Sequence, residues 1–186
     1  MALRQEKNML SKKRLVLCMA LTVLASATVF ADKDDPAYVA NDMANCAEGI
    51  SGAAVLLTIE DFKDVEGNVR AQVYGSDPDD FLEKGAKLVR VDVPTTGDGQ
   101  ALCVPLPSAG RYALAVMHDR NANGKADFFS EGFGFSNNPK LSFGPPDADE
   151  VMFEAKPGVT RMSIKLSYIF GGDEEQKEKR RQLRRR

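Results

Sequence analysis

The residues best placed to do chemistry stand in one short run, Asp119-x-Asn121-x-Asn123-Gly124-x-x-Asp127. Short oxygen-bearing side chains at every second position, with a glycine where the chain must bend, aim their oxygens inward as a calcium loop does. On that reading Asp119, Asn121 and Asn123 supply side-chain oxygens, Lys125 its backbone carbonyl, and Asp127 a direct or water-mediated oxygen. The twelfth position holds Ser130 in place of a bidentate glutamate, and Glu131 comes one residue late. So few carboxylates imply weak binding, in the millimolar to submillimolar class of extracellular modules. The same residues also build turns with no metal at all, because Asn and Asp side chains accept N–H bonds from their own backbone.

His118, the only histidine, adjoins this run. It could serve as a general base or a metal ligand. It is also in phase with Tyr112, Leu114 and Val116, as an ordinary strand-end residue would be. One histidine, with no Gly-x-Ser-x-Gly and no paired-histidine metal motif, gives a hydrolase little to work with, and no catalytic residue is assigned. After the run come Phe128, Phe129, Phe133, Phe135 and Phe143, then Asn137-Asn138. The phenylalanines read either as a docking surface or as the small core that so long a loop needs. His118, Phe133, Phe135, Asn137 and Asn138 are the candidate partner-binding residues.

Residues 1–31 read as an export signal: five bases, an apolar run over 15–30, and Val29-Phe30-Ala31 at the cleavage positions. The run falls short of the ~20 residues of a spanning helix, so an uncleaved anchor is the lesser alternative. The chain is −2 overall, but residues 32–172 hold 13 bases against 22 acids, and residues 173–186 hold seven bases against four acids. An acidic body excludes the basic face that nucleic acid requires. The charged tail, 171–186, is expected to be disordered. Cys46 and Cys103 remain after processing, and in a periplasmic or extracellular setting they read first as a disulfide, the alternative being two reduced, buried thiols.

To hold the loop, the chain offers short strands. Residues 53–59, 69–74, 87–93, 101–106, 111–118, 151–155 and 160–168 each carry apolar, strand-like patterning between turn signals such as Glu66-Gly67-Asn68 and Thr96-Gly97-Asp98-Gly99. Residues 32–52 show no periodicity and read as a loose leader. Asp77 or Asp79 could cap one helical turn near Phe81. The last two strands are expected to pair as a hairpin across Lys156-Pro157-Gly158. The sum is an all-β chain: a single antiparallel Greek-key sandwich of about seven strands over residues 53–170, with one long loop.

Several landmarks carry a family resemblance over residues 55–168. They are Phe81-Leu82 with Gly85, Gly110-Arg111-Tyr112-Ala113, Val116-Met117-His118-Asp119, Asn121-Ala122-Asn123-Gly124-Lys125, Gly134-Phe135-Ser136-Asn137-Asn138 and Phe143-Gly144-Pro145-Pro146. Together they resemble the secreted bacterial domain-of-unknown-function family 2141. The resemblance implies one exported β-sandwich, similar in style to transthyretin-like and carboxypeptidase-regulatory-like modules, and no established activity. The cysteine pair, the basic tail and a compressed second half of the loop depart from the family pattern.

The leading expectation is therefore a non-enzymatic exported module that binds an envelope or extracellular protein or glycan through residues 118–146, with calcium as the one conceivable cofactor. The alternative is a structural envelope module whose arginine-rich tail touches anionic membrane or lipopolysaccharide. A weak hydrolase dependent on His118 comes third.

Overall fold

The computed structural model describes residues 35–142 and 144–168. The expected signal segment, the charged tail and Phe143 lie outside the described residues. Eight strands follow one another: β1 (Ala53–Glu60), β2 (Asn68–Tyr74), β3 (Val89–Pro94), β4 (Gln100–Leu106), β5 (Gly110–Asp119), β6 (Gly132–Phe135), β7 (Met152–Ala155) and β8 (Gly158–Lys165). One helical turn, α1 (Ala148–Val151), precedes β7. β4-β1-β8 form one sheet; β3-β2-β5 form the other, with β6 and β7 both on the free edge of β5. The expected all-β sandwich is borne out.

The alternation along each strand decides what lies between the sheets. Val69, Ala71 and Val73 of β2 and Tyr112, Leu114 and Val116 of β5 face inward, onto Val55, Leu57 and Ile59 of β1, Leu102 and Val104 of β4, and Ile164 of β8. Leu57, Ile59, Leu102, Leu114 and Ile164 are fully buried, and burying each such side chain contributes about 1.5–3 kcal/mol. β5 is buried along nearly its whole length, on both faces. That is why it reads as a continuous apolar run rather than a half-polar one. Its outer residues, Ala113, Ala115 and Met117, form a second cluster with Tyr74, Phe133, Phe135, Val151 and Met152.

Three expectations change. There are eight strands, because the Gly132–Phe135 segment, read as loop, pairs with β5 in the register Met117↔Phe133. The last two strands are not a hairpin: β7 pairs with β5 in one sheet, while β8 runs parallel to β1 in the other. Residues 156 and 157 therefore cross between sheets, and Gly158, at φ 90°, donates its N–H to the Gly52 carbonyl at 2.8 Å. Apolar alternation is the same whichever sheet a strand joins, so it cannot report this corner. The β1–β8 pair also makes the sandwich mixed rather than wholly antiparallel.

The segment without periodicity is tied down as well. Val39 N–H bonds the Arg90 carbonyl at 2.8 Å, and Arg90 N–H bonds the Ala37 carbonyl at 2.7 Å. A 3-10 turn at Met43–Cys46, capped by the Asp42 carboxylate accepting from Ala44 N–H at 3.0 Å, brings Cys46 to Cys103 on β4. The two sulfurs are bonded, with Cα atoms 5.7 Å apart, which is the expected pairing. The 3-10 turn at Pro78–Asp80 is capped by Asp77, one of the two residues expected to do so.

Candidate functional site

Two strands position the loop. β5 ends at Asp119 and β6 begins at Gly132, and their pairs run from Ala115↔Phe135 to His118↔Gly132. Carrying that register one step further sets Asp119 opposite Glu131, on the outer face of the five-stranded sheet with Met117 and Phe133. The two carboxylates flank the mouth of the loop. Both are buried, Asp119 to 2 % exposure and Glu131 to 1 %.

Inside the loop the short side chains fold back on the backbone. Asp119 accepts from Asn123 N–H at 3.1 Å and from Gly124 N–H at 2.8 Å. Asn121 accepts from Asn123 N–H at 3.0 Å, and Asn123 from Lys125 N–H at 2.7 Å. Asp127 faces the other way along the chain, accepting from Phe129 N–H at 2.9 Å and from the Ser130 hydroxyl at 2.8 Å. These donors hold its carboxyl below the usual carboxylate range. The expected five-residue calcium set is thus present in part: Asp119, Asn121, Asn123 and the Lys125 backbone belong to one turn, and Asp127 is engaged in the next. Among the described residues, no three His, Cys, Asp or Glu side chains group as metal ligands.

Cations from the scaffold hold the loop down. Arg70 on β2 donates to the Gly124 carbonyl at 3.0 Å and to Asp92 on β3 at 2.7 Å. Arg90 pairs with the other Asp92 oxygen and reaches Asp35 at 3.2 Å. Arg120 is fixed by Asp64 at 2.8 Å and donates to the Ser130 carbonyl at 3.2 Å. Gly67, at φ 69°, lies so close beneath that a Cβ there would meet the Asp119 carbonyl at 2.0 Å.

Glu131 was not among the expected site residues. Its Oε2 accepts from Asp127 N–H at 3.2 Å, while Oε1 is buried without a hydrogen-bond partner. Burial, then the charge of Asp119 and the hydrogen bond that a protonated Glu131 makes to it, push its carboxyl up to about 7 against the pull of the Asp127 N–H. The signal available in sequence was phase: Glu131, Phe133 and Phe135 alternate on one face.

The other expected partner-binding residues divide. His118 is fully buried on the inner face. Its Nε2 bonds the Glu66 carbonyl at 2.8 Å and its Nδ1 bonds the Tyr168 hydroxyl at 2.6 Å. A carbonyl only accepts, so Nε2 carries the proton and Nδ1 takes the one from Tyr168. Burial depresses the ring below the ordinary histidine range. The strand-end reading holds for it; a contact surface does not.

Asn137 and Asn138 adopt φ of 64° and 49°, the left-handed region that asparagine tolerates. Their amides are bonded to backbone. Asn137 Nδ2 donates to the Glu150 and Met152 carbonyls at 3.0 and 2.9 Å. Asn138 bonds Ser163 O at 2.9 Å and Lys165 N–H at 2.8 Å. They join β6 to its neighbours while both residues stay exposed to solvent.

Phe133 and Phe135 do border an opening. With Ala115 and Met117 they floor a cavity of about 240 Å³ on the outer face of the sheet. Ala126 and Phe128 of the loop wall one side, Leu82 and Pro145 another. Phe128 stacks on Phe133 with ring centroids 4.7 Å apart, yet stays 39 % exposed.

Fold and site together define a two-sheet β-sandwich that carries a loop-walled apolar cavity on the outer face of its larger sheet. The chain belongs to the bacterial family described as "Uncharacterized protein conserved in bacteria (DUF2141)", whose model matches residues 57–163. The resemblance read from the sequence landmarks is therefore borne out. No curated protein matches the chain in sequence. Among solved structures it is similar to a crystal structure of a putative adhesin from Bacteroides ovatus, at 14% identity and a TM-score of 0.31. That likeness covers 62% of this chain and 44% of the other, and at such distance it carries no functional argument.

Proposed function

We propose that this protein is an exported, non-enzymatic binding module that takes a partner of the envelope or the extracellular space on the outer face of its five-stranded sheet. The observation that carries the reading is the apolar cavity between that face and the loop. Its size suits one apolar side chain or a short acyl group, and a concave apolar site rimmed by loop residues is a common ligand seat on a rigid scaffold. A buried apolar anchor of this kind commonly dominates the affinity of an interface.

The disulfide supports an oxidising compartment. The non-enzymatic part is supported by His118, whose two ring nitrogens are both engaged inside the core. In this reading calcium acts, where it binds, on the loop that walls the cavity and not as a reaction cofactor.

The test is capture from envelope extract, comparing the wild type with Ala115→Phe, which fills the cavity floor, and with a deletion of residues 174–186. Cross-linked partners should survive the deletion and be lost in Ala115→Phe, with thermal melting showing that the variant is folded. Partners lost on deletion and kept by Ala115→Phe would instead favour contact through the arginine-rich tail.

A further inference from the structure

We propose that Asp119 and Glu131 are the two carboxylates of a calcium site at the mouth of the loop, with Asn121, Asn123 and the Lys125 carbonyl as its remaining protein oxygens. The pairing itself is the first argument. Like charges placed directly opposite on adjacent strands are destabilising, and more so when both are removed from water. Asp119 offsets part of this through two backbone N–H groups, at 3.1 and 2.8 Å. Each of its oxygens still keeps a second lone pair.

Glu131 is the second argument. One oxygen takes a single N–H bond at 3.2 Å, and the other is buried with no donor facing it. A carboxylate so held lacks a positive partner. The two arginines that bond the loop backbone are committed to other carboxylates: Arg70 is on Asp92 and Gly124, and Arg120 is on Asp64 and Ser130. A divalent ion at the loop mouth supplies what the protein does not.

The ion's class follows from the donors. All are hard oxygens, which suit calcium or magnesium and not zinc or copper. They come from a loop whose sixth position, counted from Asp119, is Gly124 at φ 75°, as a calcium loop needs for its sharp turn. Calcium accepts six to eight oxygens in a flexible shell, whereas magnesium demands a tight octahedron and keeps its waters. The assignment moves the second carboxylate from Asp127, which the next turn uses, to Glu131. Because Ala126 and Phe128 lie between the ligands and wall the cavity, calcium would also stiffen that wall. Only this last consequence rests on the binding function proposed above.

The experiment titrates chelator-stripped protein with calcium chloride and, separately, magnesium chloride, reading ¹⁵N-amide shifts and thermal melting. Calcium should give saturable shifts concentrated in residues 119–131, with half-saturation at roughly 10⁻⁴–10⁻³ M, and a raised melting temperature. Magnesium at the same concentrations should give neither.

Glu131→Gln should weaken calcium by about tenfold or more, since ligand charge sets affinity in such loops. In chelator at pH 8 the same variant should melt at or above the wild type, because the facing charges are gone; that separates a lost ligand from a lost fold. Asp127→Asn should bind calcium within about threefold of the wild type on the same ligand-charge argument. A wild type without a calcium-specific response, or a Glu131→Gln that binds calcium as tightly as the wild type, overturns the proposal. If Glu131→Gln does not fold, Asn121→Ala decides: weakened calcium supports the site and unchanged calcium overturns it. Calcium is read on the protein alone, so its failure leaves the cavity reading standing, and the reverse also holds.

Discussion

Reduction of Cys46–Cys103 should cost this fold a large part of its stability, and the amount can be worked from the chain. The bond closes a loop of sequence separation 57, which contains β1, β2, β3 and the first half of β4, up to Cys103. In the chain-entropy account, opening a loop of that length returns about 14 cal/mol/K to the unfolded state, or about 4 kcal/mol at 25 °C. A domain of this size has about 5–15 kcal/mol in total. On the folded side little should change, because the Asn41 amide oxygen still accepts the Cys103 N–H at 2.9 Å and holds the 3-10 turn near its place. The assay is urea unfolding of the same protein, oxidised and reduced. Reduction is the better perturbation than Cys→Ala, since Cys103 is fully buried and truncation would add a cavity cost of its own. The midpoint should fall, and the slope should rise as the uncrosslinked unfolded chain exposes more surface. A stability difference under about 1 kcal/mol would refute the loop-closure reasoning and point to an unfolded state already compact around these strands.

Gly134→Ala should destabilise by about 1–3 kcal/mol through overpacking. Its Cβ would sit 2.5 Å from Ile164 Cγ2 and 2.7 Å from the Lys165 carbonyl, and the backbone of β8 cannot give way as a flexible side chain would. An unchanged urea midpoint would show that β6 does not approach β8 this closely. His118 should titrate below the ordinary value of 6.5, because burial disfavours its charged form more than the Glu66 carbonyl and Asp64 favour it. Its neutral ring therefore contributes stability that is whole above the unfolded value and is lost as the pH falls through the lower folded one. The imidazole shifts in an NMR titration measure this directly, and a midpoint at or above 6.5 would contradict the buried, doubly bonded ring.

What could be read from the residues alone was whatever depends on local period and turn chemistry. The inner strands declare themselves through alternation, and the Asp77 cap through one carboxylate ahead of a proline turn. Cys46 and Cys103 pair as the expectation of export suggested. What could not be read is which strand lies beside which. β6 has only four residues, two of them glycines that serve close approach, so it carries no strand signal of its own. It is a strand because Ala115 to His118 of β5 offer it an edge. That one unrecognised pairing conceals the most consequential feature of the site. Read as a loop, Glu131 is a glutamate one residue too late for a calcium motif counted along the chain. Read as the residue before β6, it is the cross-strand neighbour of Asp119, and linear counting ceases to matter because the strand pair delivers it. The same pairing sends Phe133 and Phe135 to the outer face and Gly132 and Gly134 to the inner one, so the cavity floor and the carboxylate pair have a single structural cause. A substitution that broke the β5–β6 register by one residue would turn Glu131 and both phenylalanines to the other face together. Loss of the calcium response and loss of the cavity should then be inseparable in register variants, although they are separable in Glu131→Gln and Ala115→Phe.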